Sequence, residues 1–186
     1  MLDAKKCTIY SGGLKGAESA FGEAAEKWGV SEVNFTFEGH AIARDKNVKV
    51  LSQEELGRGD ISMELASKMM HRKYAEKAKI RKVLQTIFHM VNNGHQVFAV
   101  GTILADNTIK GGTGWAVELA KLFNRPVSVY DQEKKKWFSW LEAGWKEDSP
   151  VIKHETFVGS GTRYLSDEGK KAIEDLFTNS FGPADA

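Results

Sequence analysis

The sequence predicts an α/β fold built on a mainly parallel, doubly wound sheet. Runs of apolar residues typical of strands alternate along the chain with segments whose apolar residues recur at helical spacing. This order of strand and helix candidates is that of successive βαβ units. Three of the strand candidates end in glycine-rich turns, at 10–13, 101–114 and 158–163. In open α/β sheets, ligands bind at such strand ends.

The first half of the chain contains three strand candidates and at least two helical regions. Ser52 followed by Glu55 has the capping-box spacing, which predicts a helix start there. A longer helical region, broken near its middle, follows and ends at the Asn92–Gly94 stretch. Its second half carries an apolar stripe made of Ile80, Val83, Leu84, Ile87 and Val91. The predicted elements are strands at 6–10, 33–37 and 48–51, and helices at 17–28, from 52, and from about 60 to 92.

The second half repeats the pattern and adds a β-hairpin. Residues 96–101 form a nearly continuous apolar run, as expected for a strand covered on both faces. A helix follows the second glycine-rich turn, and Ser166 with two acidic residues after it predicts the start of the last helix. The turn sequence "QEKK" predicts a β-hairpin extension near 127–141. The predicted strands are 96–101, 126–131, about 136–141 and 156–161.

Composition and charge limit the classes of function. The length of 186 residues, without repeats or linkers, predicts one nucleotide-ligand-binding domain over 1–186. A net charge of +1 makes a nucleic-acid partner an unfavoured expectation. The single cysteine, Cys7, excludes an internal disulfide, and no apolar run reaches the length of a membrane span. We therefore expect a cytoplasmic protein that does not associate with a membrane.

The glycine-rich turns predict a site for an anion. Gly111, Gly112 and Gly114 precede a helix, whose first N–H groups and positive dipole end favour a phosphate. The turns at 11–13 and 159–163 also follow strands and have the same features. Neither the P-loop pattern nor the dinucleotide glycine spacing is present. The alternative is that these glycines only form tight strand-to-helix turns.

Several side chains beside the turns are candidates for ligand contacts. His40 and Arg44 follow the second strand, where a ribose or base commonly binds, although a solvated loop is the alternative. Trp115 either stacks on a base or packs in the core, and Arg163 is a candidate phosphate clamp. Glu118 is a general acid or base, a ligand of ribose hydroxyls, or a solvent-facing helix residue.

Other charged residues carry weaker signals. Glu18 and Glu23 lie on the first helix in positions comparable to that of Glu118. The run 68–82 is strongly basic and either contacts phosphates or nucleic acid or is a solvated helix face. The five histidines are scattered without ligand spacing, so we expect no metal and no cofactor.

Four ordered blocks of the sequence resemble a known superfamily. The blocks are "TIYSGGLKGAESAFGEAAEKWG", "FTFEGH", "QVFAVGTI" continuing into "IKGGTGWAVELAKLFNRPVSVYDQEKKKWFSW", and "FVGSGTRYLSDEGKKAIEDLF". They resemble the Smf/DprA–LOG (SLOG) Rossmann-like superfamily and, within it, the YpsA-like, molybdenum-carrier-like branch of bacteria and phages. The resemblance implies a Rossmann-like sheet with a nucleotide-type ligand over the strand ends, and commonly a homo-oligomer.

The resemblance also implies two alternative activities. The LOG enzymes have a Pro-Gly-Gly-X-Gly-Thr loop followed by glutamates, and they cut the N-glycosidic bond of a nucleoside monophosphate. This chain keeps the three glycines and Glu118 of that pattern, but has Lys110 for the proline and Trp115 for the threonine. Binding is therefore expected ahead of hydrolysis, with Glu118 as the catalytic carboxylate if hydrolysis occurs.

The expected ligand is a phosphorylated nucleotide or an NAD- or ADP-ribose-derived molecule, such as a cyclic ADP-ribose-type immune signal, which the protein would sense or sequester. The residues expected to bind it are Ser11, Gly12, Gly13, His40, Arg44, Gly111, Gly112, Thr113, Gly114, Trp115, Gly161, Thr162 and Arg163.

Overall fold

The computed structural model describes residues 1–185 and contains one eight-stranded sheet with helices on both faces. The strand order is β3-β2-β1-β8-β4-β5-β6-β7. The strands are β1 (Thr8–Ser11), β2 (Ser31–Phe37), β3 (Val48–Leu51), β4 (Val97–Gly101), β5 (Val127–Asp131), β6 (Lys136–Leu141), β7 (Gly144–Glu147) and β8 (Thr156–Gly161). The first six strands in the spatial order pair in parallel, and β6 and β7 are antiparallel. The predicted Rossmann-like α/β fold and its hairpin are confirmed.

Six α-helices cover the sheet and follow a short 3₁₀ turn at Ala4–Lys6. They are α1 (Ala17–Trp28), α2 (Gln53–Gly57), α3 (Asp60–Met70), α4 (Ala78–Asn93), α5 (Thr113–Leu122) and α6 (Asp167–Phe181). One apolar core lies under α1 and α6, around Phe21 and Phe177. The other lies under α2 to α5, around Met63 and Leu119. The sheet is therefore covered on both faces, which explains the uninterrupted apolar run of β4.

Local signals in the sequence place several helix ends. The Ser52–Glu55 capping box is present at the start of α2, and Ser166 caps α6 by accepting from the Gly169 N–H. The long helical region is two helices, because α3 ends at His71 in the left-handed conformation with φ of 55° and α4 begins at Ala78. Among residues 1–185, no helix is both long and apolar enough to cross a bilayer.

The last strand lies at the centre of the sheet. β8 pairs with β1 on one side and with β4 on the other. Strand order reverses direction around this position, so the loops after β1, β8 and β4 diverge to opposite faces and leave a crevice between them. In α/β sheets this switch point is where ligands bind.

Candidate functional site

A cavity of about 550 Å³ lies over the carboxyl ends of five neighbouring strands. Each of the strands β2, β1, β8, β4 and β5 contributes residues from its end or from the loop that follows it. The volume is in the range of small-molecule sites. Of the predicted binding residues, the cavity is lined by Gly12, His40, Gly111, Gly112, Thr113, Gly161, Thr162 and Arg163.

The loop before α5, where the glycines predict a phosphate cradle, has an open backbone. The N–H groups of Gly112 and Thr113 make no hydrogen bond within residues 1–185. A Cβ added at Gly111 or Gly112 would meet no atom within 4 Å, so both glycines border open space. Gly111 has φ of 73°, which favours glycine, whereas Gly112 has the ordinary right-handed conformation. The start of α5 can therefore receive an anion from the cavity.

Arg72 holds this cradle in place from outside the cavity. Its guanidinium donates to the carbonyl oxygens of Gly111 and Ile109, at 3.1 and 2.8 Å, and to Thr108 Oγ1 at 2.9 Å. These bonds use three oxygen atoms of the loop and none of its N–H groups. In the sequence, Arg72 is one member of the basic run at 68–82, and no local signal separates it from its neighbours.

The helix that follows β1 has a closed start. The Ala17 N–H donates to the Thr162 carbonyl at 2.9 Å, and the Ser19 N–H donates to the Leu14 carbonyl at 3.1 Å. Gly16 approaches the backbone of Arg163 so closely that an added Cβ would lie 2.6 Å from its Cα. The start of α1 is thus bonded to the β8 loop and is not an open anion site.

Glu18 brings a buried carboxyl group to the cavity wall beside that closed start. Its exposed fraction is 5%, it forms no salt bridge within residues 1–185, and Oε1 has no hydrogen-bond partner there. Burial raises its pKa to about 7, partly offset by the backbone N–H groups of Leu14 and Gly12. Glu18 was noted in the sequence only for its position on the first helix.

The loop after β8 closes the cavity between these two helix starts. Gly161 is packed so tightly that an added Cβ would lie 2.5 Å from the Val100 carbonyl oxygen. Thr162 donates its N–H to that carbonyl at 2.9 Å, and Arg163 and Tyr164 are exposed at the rim. Gly159 instead makes room for the Phe21 ring and has a packing role.

The remaining walls differ in polarity. Helix α4 lines one wall with the apolar side chains of Val83, Leu84, Ile87 and Met90. Lys15, Lys110 and Arg163 are exposed basic residues on the loops around the cavity. His40 is stacked on Phe37 with ring centroids 4.4 Å apart, and burial, followed by the nearby Lys79, lowers its pKa. The cavity therefore has both a cationic border and an apolar wall.

Three of the predicted residues near β1 do not line the cavity. Arg44 pairs with Glu32 and Glu26 over Gly22 of α1; its Nε lies 2.9 Å from Glu32 Oε2, and these bonds raise its pKa. Ser11 donates its hydroxyl to the Gly159 carbonyl at 2.7 Å. Gly13, with φ of 69°, accepts from the N–H groups of residues 43 and 44. All three organise the β1 loop itself.

Three of the predicted residues on α5 also lie outside the cavity lining. Trp115 is buried against Tyr74, with ring centroids 5.8 Å apart, which is the core alternative. Gly114 makes room for the Ile109 carbonyl and Arg72. Glu118 is 5% exposed and pairs with Lys121 at 3.4 Å, next to the tryptophans of the β6–β7 hairpin. The carboxyl group that reaches the cavity is that of Glu18.

Part of the basic run at 68–82 makes contacts within the protein, whereas Lys68, Lys77 and Lys79 are exposed. Besides Arg72, Arg81 lies 3.9 Å from the centre of the Tyr74 ring and 3.5 Å from Asp60. Lys73 pairs with Glu76 on the surface at 2.9 Å. Within residues 1–185, no cluster of three His, Cys, Asp or Glu side chains could hold a metal.

No protein-family model, curated protein or solved structure matches this chain. Membership of the SLOG superfamily therefore remains a prediction from the sequence blocks.

Proposed function

We propose that this protein binds a phosphorylated nucleotide or an NAD- or ADP-ribose-derived small molecule, and senses or sequesters it. The observation that carries the proposal is the single cavity wall that joins the open start of α5 to the apolar face of α4. A phosphate on the N–H groups of Gly112 and Thr113 would gain charge-assisted hydrogen bonds. A base would lie against Leu84, Ile87 and Met90.

The basic residues support the same orientation of the ligand. Lys110 immediately precedes the open cradle, and Lys15 and Arg163 belong to the two loops facing it. Their exposed positions allow them to attract an anion while their charges stay solvated. A neutral or cationic ligand would make no use of this border.

The most direct test is a binding assay at the cradle. Wild-type protein is titrated calorimetrically with AMP, NAD, ADP-ribose and cyclic ADP-ribose. We expect at least one to bind at micromolar concentration, and Gly112→Ala to weaken it by about tenfold or more, because the added methyl group occupies the anion's approach. Gly112→Ala introduces no clash within the protein. Absence of binding by the whole panel would overturn the proposal.

A matched glycine and a matched lysine control this test. Gly57 has similar room, with Asp60 Oδ2 at 3.9 Å from an added Cβ, but lies in α2 away from the cavity, so Gly57→Ala should bind as wild type does. Lys110→Ala and Arg163→Ala should weaken binding, more at low than at high salt. Lys6→Ala, at the opposite end of β1, should not.

Hydrolysis of an N-glycosidic bond is the second candidate, and the Glu18 carboxyl group in the cavity favours it. Glu118 lies away from the cavity lining, so a hydrolase mechanism there would need Glu18 as its acid. Incubation followed by denaturation and chromatography separates the two functions. Intact ligand supports binding, and free base with ribose phosphate supports hydrolysis.

The homo-oligomer implied by the resemblance also remains a proposal. Ile61, Leu65 and Met69 follow one another at four-residue spacing on α3 and are exposed. Sedimentation velocity of the wild type and of Leu65→Glu tests whether an assembly forms and whether it uses this stripe. A monomer at all concentrations would refute the homo-oligomer.

A further inference from the structure

Glu18 has an arrangement that the phosphate cradle does not explain. The carboxyl group is almost completely buried, forms no salt bridge within residues 1–185, and leaves Oε1 without a partner there. Burying such a group without compensation costs free energy. A buried polar group that the fold leaves unsatisfied at a cavity wall is a candidate for contact with a ligand.

The surroundings of Glu18 at the cavity wall are Gly12 and Met90. A Cβ added at Gly12 would lie 2.5 Å from Glu18 Oε1 and 2.7 Å from Met90 Cε. The carboxyl group and the methionine methyl group therefore meet at the glycine, where the polar loop borders the apolar wall of α4. A planar group lying on that wall would bring its edge to Glu18.

We infer that Glu18 determines ligand specificity by acting as a neutral acid, whose O–H donates and whose C=O accepts at a ligand edge carrying an adjacent acceptor and donor. Such an edge occurs on nucleobases and in carboxamides. The inference rests on the proposed function, since it identifies the part of the ligand opposite the phosphate. Within residues 1–185 no cation forms a salt bridge with Glu18, and its burial favours the protonated form.

Other titratable groups share the cavity and have to be separated from Glu18. Lys15 lies on the loop before α1, His40 follows β2, Lys110 precedes α5, and Arg163 and Tyr164 follow β8. Helix α4 presents apolar residues and Thr86 to the cavity. The second ionisation of a ligand phosphate also falls near neutral pH. Comparison with a variant changed only at Glu18 removes these contributions.

The experiment measures how much a base or carboxamide adds to affinity. Wild type, Glu18→Gln and Glu18→Leu are titrated with AMP, IMP, nicotinamide mononucleotide and ribose 5-phosphate. We expect at least one of the first three to bind about tenfold or more tightly than ribose 5-phosphate. Glu18→Leu should reduce that ratio to about threefold or less, and Glu18→Gln, which keeps one donor and one acceptor, should preserve it.

The pH dependence gives an independent readout. Between pH 6 and pH 8 the neutral fraction of a group with a pKa of about 7 falls about tenfold. The ratio of affinities should fall by a similar factor for wild type and stay constant for Glu18→Gln. Glu23→Gln, an exposed change on the same helix, should follow wild type.

The outcomes separate this inference from the proposed function. If no probe binds to wild type, the proposed function fails and this inference with it. If the probes bind but Glu18→Leu keeps the wild-type ratio, only the role of Glu18 is overturned. If Glu18→Gln loses the ratio as fully as Glu18→Leu does, the carboxylate form is required and the neutral acid is refuted. Cooperative thermal unfolding of both variants with ligand absent, at a midpoint no lower than that of wild type, would exclude misfolding as a cause.

Discussion

The starts of α1 and α5 look alike in the sequence but have opposite chemistry in the structure. Both follow a strand and a glycine-rich loop, and both helices carry a glutamate that is 5% exposed. At α5 the backbone N–H groups are open, while Glu118 is turned away and paired with Lys121. At α1 the backbone is closed by the β8 loop, while Glu18 is unpaired and reaches the cavity.

The difference shows that the two helices present different groups to one cavity. The start of α5 has unbonded backbone N–H groups, and α1 has a carboxyl group next to an apolar wall. The distinction depends on what packs behind each glutamate: a lysine under two tryptophans for Glu118, and the Met90 side chain with a glycine for Glu18.

Lys121→Ala should have the largest effect on stability. Lys121 lies 3.4 Å from Glu118 Oε2 and 3.7 Å from the centre of the Trp140 ring, and burial lowers its pKa while Glu118 raises it. Its loss leaves a buried carboxylate unpaired, so we expect the free energy of unfolding in urea to fall by about 3–5 kcal/mol. Ligand affinity should not change.

Two variants test the cause of that loss. Lys170→Ala removes an exposed pair with Glu23, and we expect a cost of about 1 kcal/mol or less. Adding Glu118→Gln to Lys121→Ala should restore part of the stability, because no uncompensated charge then remains. A loss of less than about 1 kcal/mol for Lys121→Ala would mean that its pair with Glu118 contributes little to stability.

The pH dependence of stability should identify Glu18. Its pKa rises from 4.5 in a free chain to about 7 in the folded protein, so between these values the folded state binds more protons than the unfolded state. Stability contributed by the neutral acid is therefore present below about pH 4.5 and lost as the pH rises to 7. Relative to Glu18→Gln, wild type should lose about 3 kcal/mol over this interval in chemical denaturation.

Subtracting the variant's curve is essential to that measurement. Asp60, Glu26 and Glu55 have lowered pKa values, so their contributions change in the opposite direction as the pH falls. Glu23→Gln should give the wild-type pH dependence. Parallel curves for wild type and Glu18→Gln would show that Glu18 is ionised at neutral pH in the folded protein.

Gly12→Ala should have a smaller effect, directed at the contact between Glu18 and Met90. Its Cβ would overlap both side chains, and we expect a loss of about 1–3 kcal/mol. In a Glu18→Ala background the loss should be clearly smaller, and a double-mutant cycle by urea denaturation measures the difference. Additive losses would place the Glu18 carboxyl group away from Gly12.

Regular spacing and capping residues allowed most of the fold to be predicted. The helix at 17–28 and the strands at 48–51 and 156–161 have the expected bounds, because their apolar patterns and flanking turns are clear. β7 was not predicted, since its four residues carry no alternation of their own. The position of β8 at the centre of the sheet could not be predicted either, because the local sequence pattern does not show which strands pair.

The site was only partly predictable, because side-chain direction depends on tertiary packing. The glycines at 111 and 112 could be placed, since open glycines before a helix have a specific backbone chemistry. Arg44 pairs with Glu32 of β2, and Glu118 pairs with Lys121 one turn later in α5. The spacing of these residues in the sequence does not show that they pair. The apolar stripe of α4 was visible, but its role as a cavity wall depends on how the helix crosses the β1 and β8 loops.

The placement of β8 between β1 and β4 has a consequence for the order of folding. β1 and β4 cannot pair with each other in this sheet, so the two halves of the parallel sheet stay unjoined until β8 has entered between them. Gly159 of β8 is 148 residues along the chain from Ser11 of β1, whose hydroxyl group donates to the Gly159 carbonyl oxygen. Long-range closures of this kind are slow steps in folding. The pocket at the switch point is thus completed in the same event that unites the sheet, and a half-folded chain would lack it.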